Sequence, residues 1–295
     1  MKKSRHIAIV FFTLLSLCVF PARALEVFAC EPEWGALART LGGEQVNVYT
    51  ATTNQQDPHY IQARPGLIAK ARRADLLVCT GAGLEAGWLS PLLQSSGNAR
   101  IQVGQPGHFM AADFVTLLEK RAMPNPSWGG VHSVGNPHIH LDPVRLQQVA
   151  HKLGERLQII DPTHRAHYRA LQEKFMRAWR NKIRQWEEKA KLLQGKSIVV
   201  HDAIWIYLRA WAGIKRAGAL VPMPGIPPTS TRLRRLSARL QRDTVYRIIY
   251  ANYQDPDAAE LLSQKIGIPA TSLDFSPGAD EPLTDWFERL LDRLL

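Results

Sequence analysis

The chain has 295 residues, of which 45% are hydrophobic and 21% charged, and it carries a formal net charge of +11 at pH 7. That length can bury a large core and suits two lobes. The basic balance invites a nucleic-acid reading, which the pattern excludes. Arg64 to Arg73, Lys174 to Lys196 and Arg232 to Arg242 read as helix surfaces, with carboxylates or apolar residues between the charges, so they are solvated faces.

The first 24 residues form a secretory leader: Lys2, Lys3, Arg5 and His6 precede an apolar run of 14 from Ile7 to Phe20, then Ala22-Arg23-Ala24. The run is shorter than the roughly 20 residues of a membrane-spanning helix. Cys18 follows the bulky Leu17 where a lipid anchor wants a small residue. Cleavage after about Ala24 leaves 271 residues in the periplasm with a formal charge of +7. Two cysteines remain, Cys30 and Cys79, each ending an expected strand in an oxidising compartment. A disulfide and a pair of buried thiols are both open, and two cysteines alone make no zinc site.

From Leu25 short apolar runs alternate with amphipathic stretches. Glu26–Cys30 reads as a strand, Glu33–Leu41 as a helix and Val46–Tyr49 as a strand. Gly66–Arg73 follows as a helix, Asp75–Cys79 as a buried strand, Leu84–Leu93 as a helix and Ile101–Val103 as a short strand. Pro124 to Pro137 is a loop by composition, and Asp142-Pro143 opens a helix. A second helix runs from about His164 to Leu193, roughly 45 Å at 1.5 Å per residue. After Gly195 the alternation restarts. SIVV (197–200) is a strand, Ala203–Ala212 a helix, Ala219–Val221 a short strand and Arg232–Arg242 a helix. VYRIIYA (245–251), Asp257–Ile266, ATSL (270–273) and Leu283–Leu295 complete the series.

Strand–helix alternation implies an α/β fold: two lobes, each with a parallel sheet flanked by helices, joined by one long helix. The expected division is a leader over 1–24, an N-terminal lobe over 25–162, a linking helix over 163–194 and a C-terminal lobe over 195–295.

Ligands of open parallel sheets bind beyond the carboxyl ends of the strands. His59 follows the second strand, in NQQDPHYIQARP. His138 precedes the Asp142-Pro143 helix, His201 follows SIVV and Asp274 follows ATSL. Two come from each lobe. Three imidazoles and a carboxylate suit a tetrahedral borderline metal, above all Zn²⁺. Singly, each has a plainer reading: His59 as a loop residue, His201 and Asp274 as caps or turn residues. The Asp-Pro before His59 fixes the backbone, so its imidazole has little freedom to lose on binding.

Taken in order, DPHYIQARPGLIAKARRADLLVCTGAGLE (57–85), NPHIHLDP (136–143), HDAIWIYLRAWAG (201–213), GIPPTSTRL (225–233) and LDFSPG (273–278) resemble the solute-binding proteins of zinc and manganese ABC transporters. The resemblance implies His59, His138, His201 and Asp274 as ligands, with His140 as an alternative to His138. It implies delivery of Zn²⁺ to an ABC-type membrane permease without catalysis. Manganese-type members place a glutamate where His201 stands, so the histidine points to zinc, with a manganese or iron binder of the same fold as the alternative. Asn136 and His140 depart from the family's pattern in the second motif, and Asn252 stands where a glutamate is frequent. A metal-loading chaperone is a further candidate partner, the chain is expected to be monomeric, and no nucleic acid is expected. His132, the lone histidine of the central loop, reads as a loop residue, and His108, His151, His164 and His167 as solvated. HIHLD (138–142) also imitates the His-x-His-x-Asp of metallohydrolases, but Asp142-Pro143 reads as a helix start and no spare general base stands nearby.

Overall fold

The computed structural model describes residues 23–119, 134–222 and 226–295. Cys18, the apolar leader, His132 and Gly225 lie outside the described residues.

The first lobe opens with strand β1 (Leu25–Ala29) and helix α1 (Pro32–Gly42). Pro32 sits in the first turn of α1, where its missing N–H costs nothing, and Gly43 ends the helix at φ 57°. β2 (Val46–Thr50), α2 (Pro65–Arg73), β3 (Leu76–Cys79), α3 (Leu89–Ser96) and β4 (His108–Met110) follow. The four strands pair in parallel in the order β2-β1-β3-β4. Asp142 caps α4 (Pro143–Ile160) by accepting from the Val144 and Arg145 N–H groups, and α5 (Arg165–Ala190) runs back along it. β5 (Ser197–Val200), α6 (Ile206–Ala212), β6 (Lys215–Ala219), α7 (Ser230–Leu240), β7 (Arg247–Ala251), α8 (Asp257–Ile266), β8 (Ala270–Leu273) and α9 (Leu283–Leu294) form the second lobe. Its strands are also all parallel, in the order β6-β5-β7-β8. This is the same topology as the first sheet, so each lobe has its switch point beside its first strand.

Three expected elements are corrected. Ile101–Val103 is not a strand: Ala99–Ile101 is a 3-10 turn that Asn98 caps, and the edge strand lies at His108–Met110. Ile101 is apolar because it fills the core under α3, not because it pairs. The helix expected from Leu84 starts at Leu89, because Gly81-Ala82-Gly83 turns through φ values of 76°, 50° and 85°. Glu85 then folds its carboxylate back onto the Thr80 and Gly81 N–H groups. The strand expected at Ala219–Val221 occupies Lys215–Ala219. As a sheet edge it exposes Lys215 and Arg216, so its hydrophobic pattern becomes visible only at its end.

One apolar core runs through both lobes. It takes in the inner faces of β1 and β3, helices α1, α4 and α5, the inner face of β5 and β7, and α9. The outer face of each sheet has its own smaller cluster, under α2 and α3 in one lobe and under α7 and α8 in the other. The 26 residues of α5 span roughly 39 Å. Lys182 and Lys189 on α5 pair with Glu288 of α9, and the Trp186 indole N–H donates to the same carboxylate at 2.8 Å. Cys30 and Cys79, at the carboxyl ends of the adjacent strands β1 and β3, are joined in a disulfide.

Two stability outcomes follow from these contacts. Closing a loop of 49 residues constrains the unfolded chain, so Cys30→Ser/Cys79→Ser should cost about 2–4 kcal/mol in urea denaturation. An undiminished midpoint would show that packing alone holds β1 to β3. Burial pushes the Glu288 carboxyl up, but hydrogen bonds from Lys189, Trp186 and Lys182 outweigh this and bring it down to about 2. A depressed carboxyl stabilises the fold above its unfolded value near 4.5, and that contribution is lost as pH falls towards 2. Glu288→Gln should therefore melt below the parent at pH 7, and the gap should close in acid. A gap independent of pH would contradict the assignment.

Candidate metal centre

His59 lies in a 3-10 turn (Pro58–Tyr60) that starts at Asp57. The Asp57 carboxylate accepts from the His59 backbone N–H at 3.0 Å and faces the ring Nδ1 at 2.6 Å. A proton held on Nδ1 by this carboxylate puts the ring lone pair on Nε2, the tautomer of a metal-ligating imidazole. The Trp88 indole anchors the turn from behind by donating to the Pro58 carbonyl.

His138 is 2% exposed, and its ring lies 5.6 Å from that of His59, edge to face. Its backbone N–H donates to the Asn136 side-chain oxygen, while the Asn136 amide donates to the Ala203 carbonyl of the second lobe. His140, two residues on, is enclosed. Its Nε2 lies 3.1 Å from the Phe275 carbonyl and its Nδ1 3.3 Å from Glu33, and its ring stacks near Trp286. Burial pushes the His140 imidazole below its ordinary range, against the opposing pull of Glu33 and the Phe275 carbonyl. Asp142 is committed to the α4 cap and to Arg145. HIHLD is thus a helix entry with a core histidine, not an open hydrolytic site.

His201 follows β5 at the switch point of the second sheet, its N–H donating to the Ile249 carbonyl. Its Nδ1 lies 3.4 Å from Asp202, which also accepts from Gln254 and caps the next turn at Ile204. The capping role considered for His201 therefore belongs to Asp202. Asp274 follows β8, but its carboxylate turns towards α9 and accepts from Arg289 Nε at 2.9 Å. Arg289 is also paired with Glu281. The neighbouring Phe275 ring points the other way, 5.2 Å from His138 and 4.8 Å from His140.

Two of the four expected residues, His59 and His138, are thus in ring contact, while Asp274 is engaged elsewhere. Among the described residues the one group of three donors close enough for an ion is Cys30, Cys79 and Glu85, within 4.8 Å. Its sulfurs are joined to each other, so it is no metal site.

Sequence reasoning missed three features near the carboxyl ends of the strands. Phe275 packs on His138, His140, Trp205 and Tyr253. Tyr253 has its hydroxyl pushed well up by burial and by the charges of Asp57, Asp202 and Glu33, which places it among acidic groups from both lobes. Glu31 and Glu85 form a buried carboxyl pair on Thr80. Burial, then the charges of Glu85 and Glu33, push Glu31 well up, and burial takes Glu85 to about 7. The available signal was position: Glu31 and Glu33 directly follow β1, and Phe275 follows the expected ligand Asp274.

The profile of a family described as zinc-uptake complex component A, periplasmic (ZnuA), matches residues 27–294. The chain is 26% identical over 196 residues to the high-affinity zinc uptake system protein ZnuA of Yersinia pestis, covering 62% of this chain and 61% of that protein. It is 21% identical over 244 residues to the manganese ABC transporter substrate-binding lipoprotein PsaA of Streptococcus pneumoniae, covering 79% and 74%. A match at 20% identity to the zinc-binding lipoprotein AdcA of Streptococcus pneumoniae strain R6 covers 78% of this chain, which spans about half of that relative (46%). A crystal structure of ZnuA superposes with a TM-score of 0.76 at 19% identity, over 92% of this chain and 98% of that one, so the fold is shared. The chain belongs to the ZnuA family of periplasmic zinc-uptake components, a transport family rather than a family of enzymes.

Proposed function

We propose that this protein captures Zn²⁺ in the cleft between its lobes and delivers it to an ABC-type membrane permease, after export and cleavage near Ala24. His59, His138, His201 and Asp274 are the ligands in this reading. The single observation that carries it is the His59–His138 pair, two imidazoles 5.6 Å apart, one of them oriented by Asp57. His138 rather than His140 is the ligand, because both ring nitrogens of His140 face protein groups in the core. The named relatives include binders of zinc and of manganese. The imidazole of His201 is the chemical reason to favour zinc, since manganese prefers oxygen.

Isothermal titration with Zn²⁺ separates these roles. His59→Ala should lose at least a hundredfold in affinity with an unchanged circular dichroism spectrum. His140→Ala should instead lower the melting temperature and leave affinity within a few fold. A comparable loss of affinity in His140→Ala would overturn its assignment to the core and make it a ligand.

Metal capture through Asp274 competes with Arg289 for that carboxylate. An ion satisfied by imidazoles needs it less than one that depends on carboxylate oxygen. Arg289→Gln should therefore raise Mn²⁺ affinity by severalfold and Zn²⁺ affinity by less, as measured in competition titrations. Asp274→Ala should lower both affinities, and unchanged affinities in that variant would remove Asp274 from the ligand set.

A further inference from the structure

The free edge of the second sheet carries a feature the metal cleft does not use. A groove of about 610 Å³ lies between β6 and α7, lined by Arg216, Arg232, Arg235 and Arg239 together with Thr229 and Thr231. This volume is that of a small-molecule site. The forty residues 203–242 contain eight arginines and lysines and not one carboxylate. Among the described residues, the arginines in ion pairs are Arg100, Arg145, Arg169, Arg177 and Arg289, none of them in the groove.

Two of the four guanidiniums are held in place by uncharged acceptors. Arg232 donates to the Leu220 and Ala219 carbonyls at 3.0 and 3.3 Å, and Arg239 to the Ala217 carbonyl at 2.7 Å. These contacts satisfy the backbone of β6 and its continuation without neutralising the charge. Gly218 lets the helix approach: a Cβ there would lie 2.6 Å from Leu236 Cδ1 and 2.9 Å from Arg239 Nη2. Arg216 and Arg235 are exposed. Burial, and then the charge of Arg216, push the nearby Arg209 guanidinium down, which reflects the same crowding of like charge.

A merely solvated basic face spreads its side chains into water. Here four converge on one concavity, two of them preoriented, beside the Thr229 cap at the start of α7. Guanidinium forks match the oxygens of phosphate two at a time, and a helix start adds partial positive charge. We propose that this groove is a second ligand site, which binds a phosphate-bearing anion either free in solution or as the headgroup of a membrane lipid. It does not rest on the metal-binding reading, and zinc affinity reports separately on that.

The test uses the full mature chain at physiological ionic strength, where diffuse attraction is screened. Inorganic phosphate and pyrophosphate are titrated calorimetrically, and phosphatidylglycerol vesicles are compared with phosphatidylcholine vesicles by co-sedimentation. Binding of the soluble anions identifies a free ligand, and binding of anionic vesicles alone identifies a headgroup. Arg216→Gln/Arg235→Gln removes the two groove charges that hold no backbone contact and should weaken binding at least tenfold, with zinc affinity unchanged. Arg73→Gln/Lys174→Gln, on other basic faces, should leave it intact. Absence of binding to every probe overturns the proposal, and so does an equal loss in the two double variants, which would mean diffuse charge attraction.

Discussion

The apolar seam along α5 is the constraint on which the rest of the architecture depends. Trp179 packs on Phe175 and Trp186 at ring distances of 5.2 and 5.0 Å, and Trp186 packs on Phe287 of α9 at 4.6 Å. Both indole N–H groups are satisfied, by the Pro143 carbonyl and by Glu288, so neither ring carries an unpaired donor into the core. A buried aromatic side chain of this size contributes roughly 4–6 kcal/mol by area. A hinge motion that parted the lobes along this seam would expose several such rings at once. Holding a side chain about 30° off its preferred rotamer costs far less, of order 1 kcal/mol. The fold therefore holds the two sheets nearly fixed and leaves adjustment to side chains and loops at the strand ends.

Two asparagines, Asn136 and Asn252, bridge the two lobes. Asn136 accepts from His138 and donates to the Ala203 carbonyl. Asn252 accepts from the Phe275 N–H and donates to the Asn54 carbonyl, tying the loop that carries His59 to the ends of β7 and β8. A carboxylate could accept in either place but could not donate to the second carbonyl. An asparagine at each place thus makes a contact across the lobes that a carboxylate would not. Being uncharged, the asparagines also add no negative charge to the acidic surroundings of Tyr253, where Asp57, Asp202 and Glu33 already act.

The sequence made the lobes, the long helix and the position of His59 legible because each has a local cause. Alternation of apolar runs marks buried parallel strands, and Asp57-Pro58 fixes the turn that presents the imidazole. Short edge strands were read poorly. β4 is only three residues long, and β6 exposes charged side chains, so neither shows the continuous apolar run of a buried strand. The partners of the site residues were not legible at all. That Asp274 turns to Arg289, or that Glu31 and Glu85 share Thr80, depends on contacts between residues far apart in sequence, or on a turn that folds back on itself. Spacing carries no information about either.

The strength of the Asp274–Arg289 pair sets what it can do in the proposed capture of a metal. Arg289 is 39% exposed and Asp274 22%, so water screens the pair, and its worth is about 1 kcal/mol or less rather than that of a buried bridge. Zinc bound by protein ligands is worth on the order of 10 kcal/mol or more. The pair therefore cannot keep zinc out. A fixed cost also fails to discriminate between ions that recruit Asp274 equally. It discriminates only where one ion depends on the carboxylate oxygen and another is largely satisfied by imidazoles. Borderline Zn²⁺ is of the second kind and hard Mn²⁺ of the first. In the proposed site, with His59, His138 and His201 supplying imidazoles and Asp274 an oxygen, a modest toll on that oxygen falls mainly on the harder ion, so a weak surface ion pair acts in the same direction as the histidine at position 201.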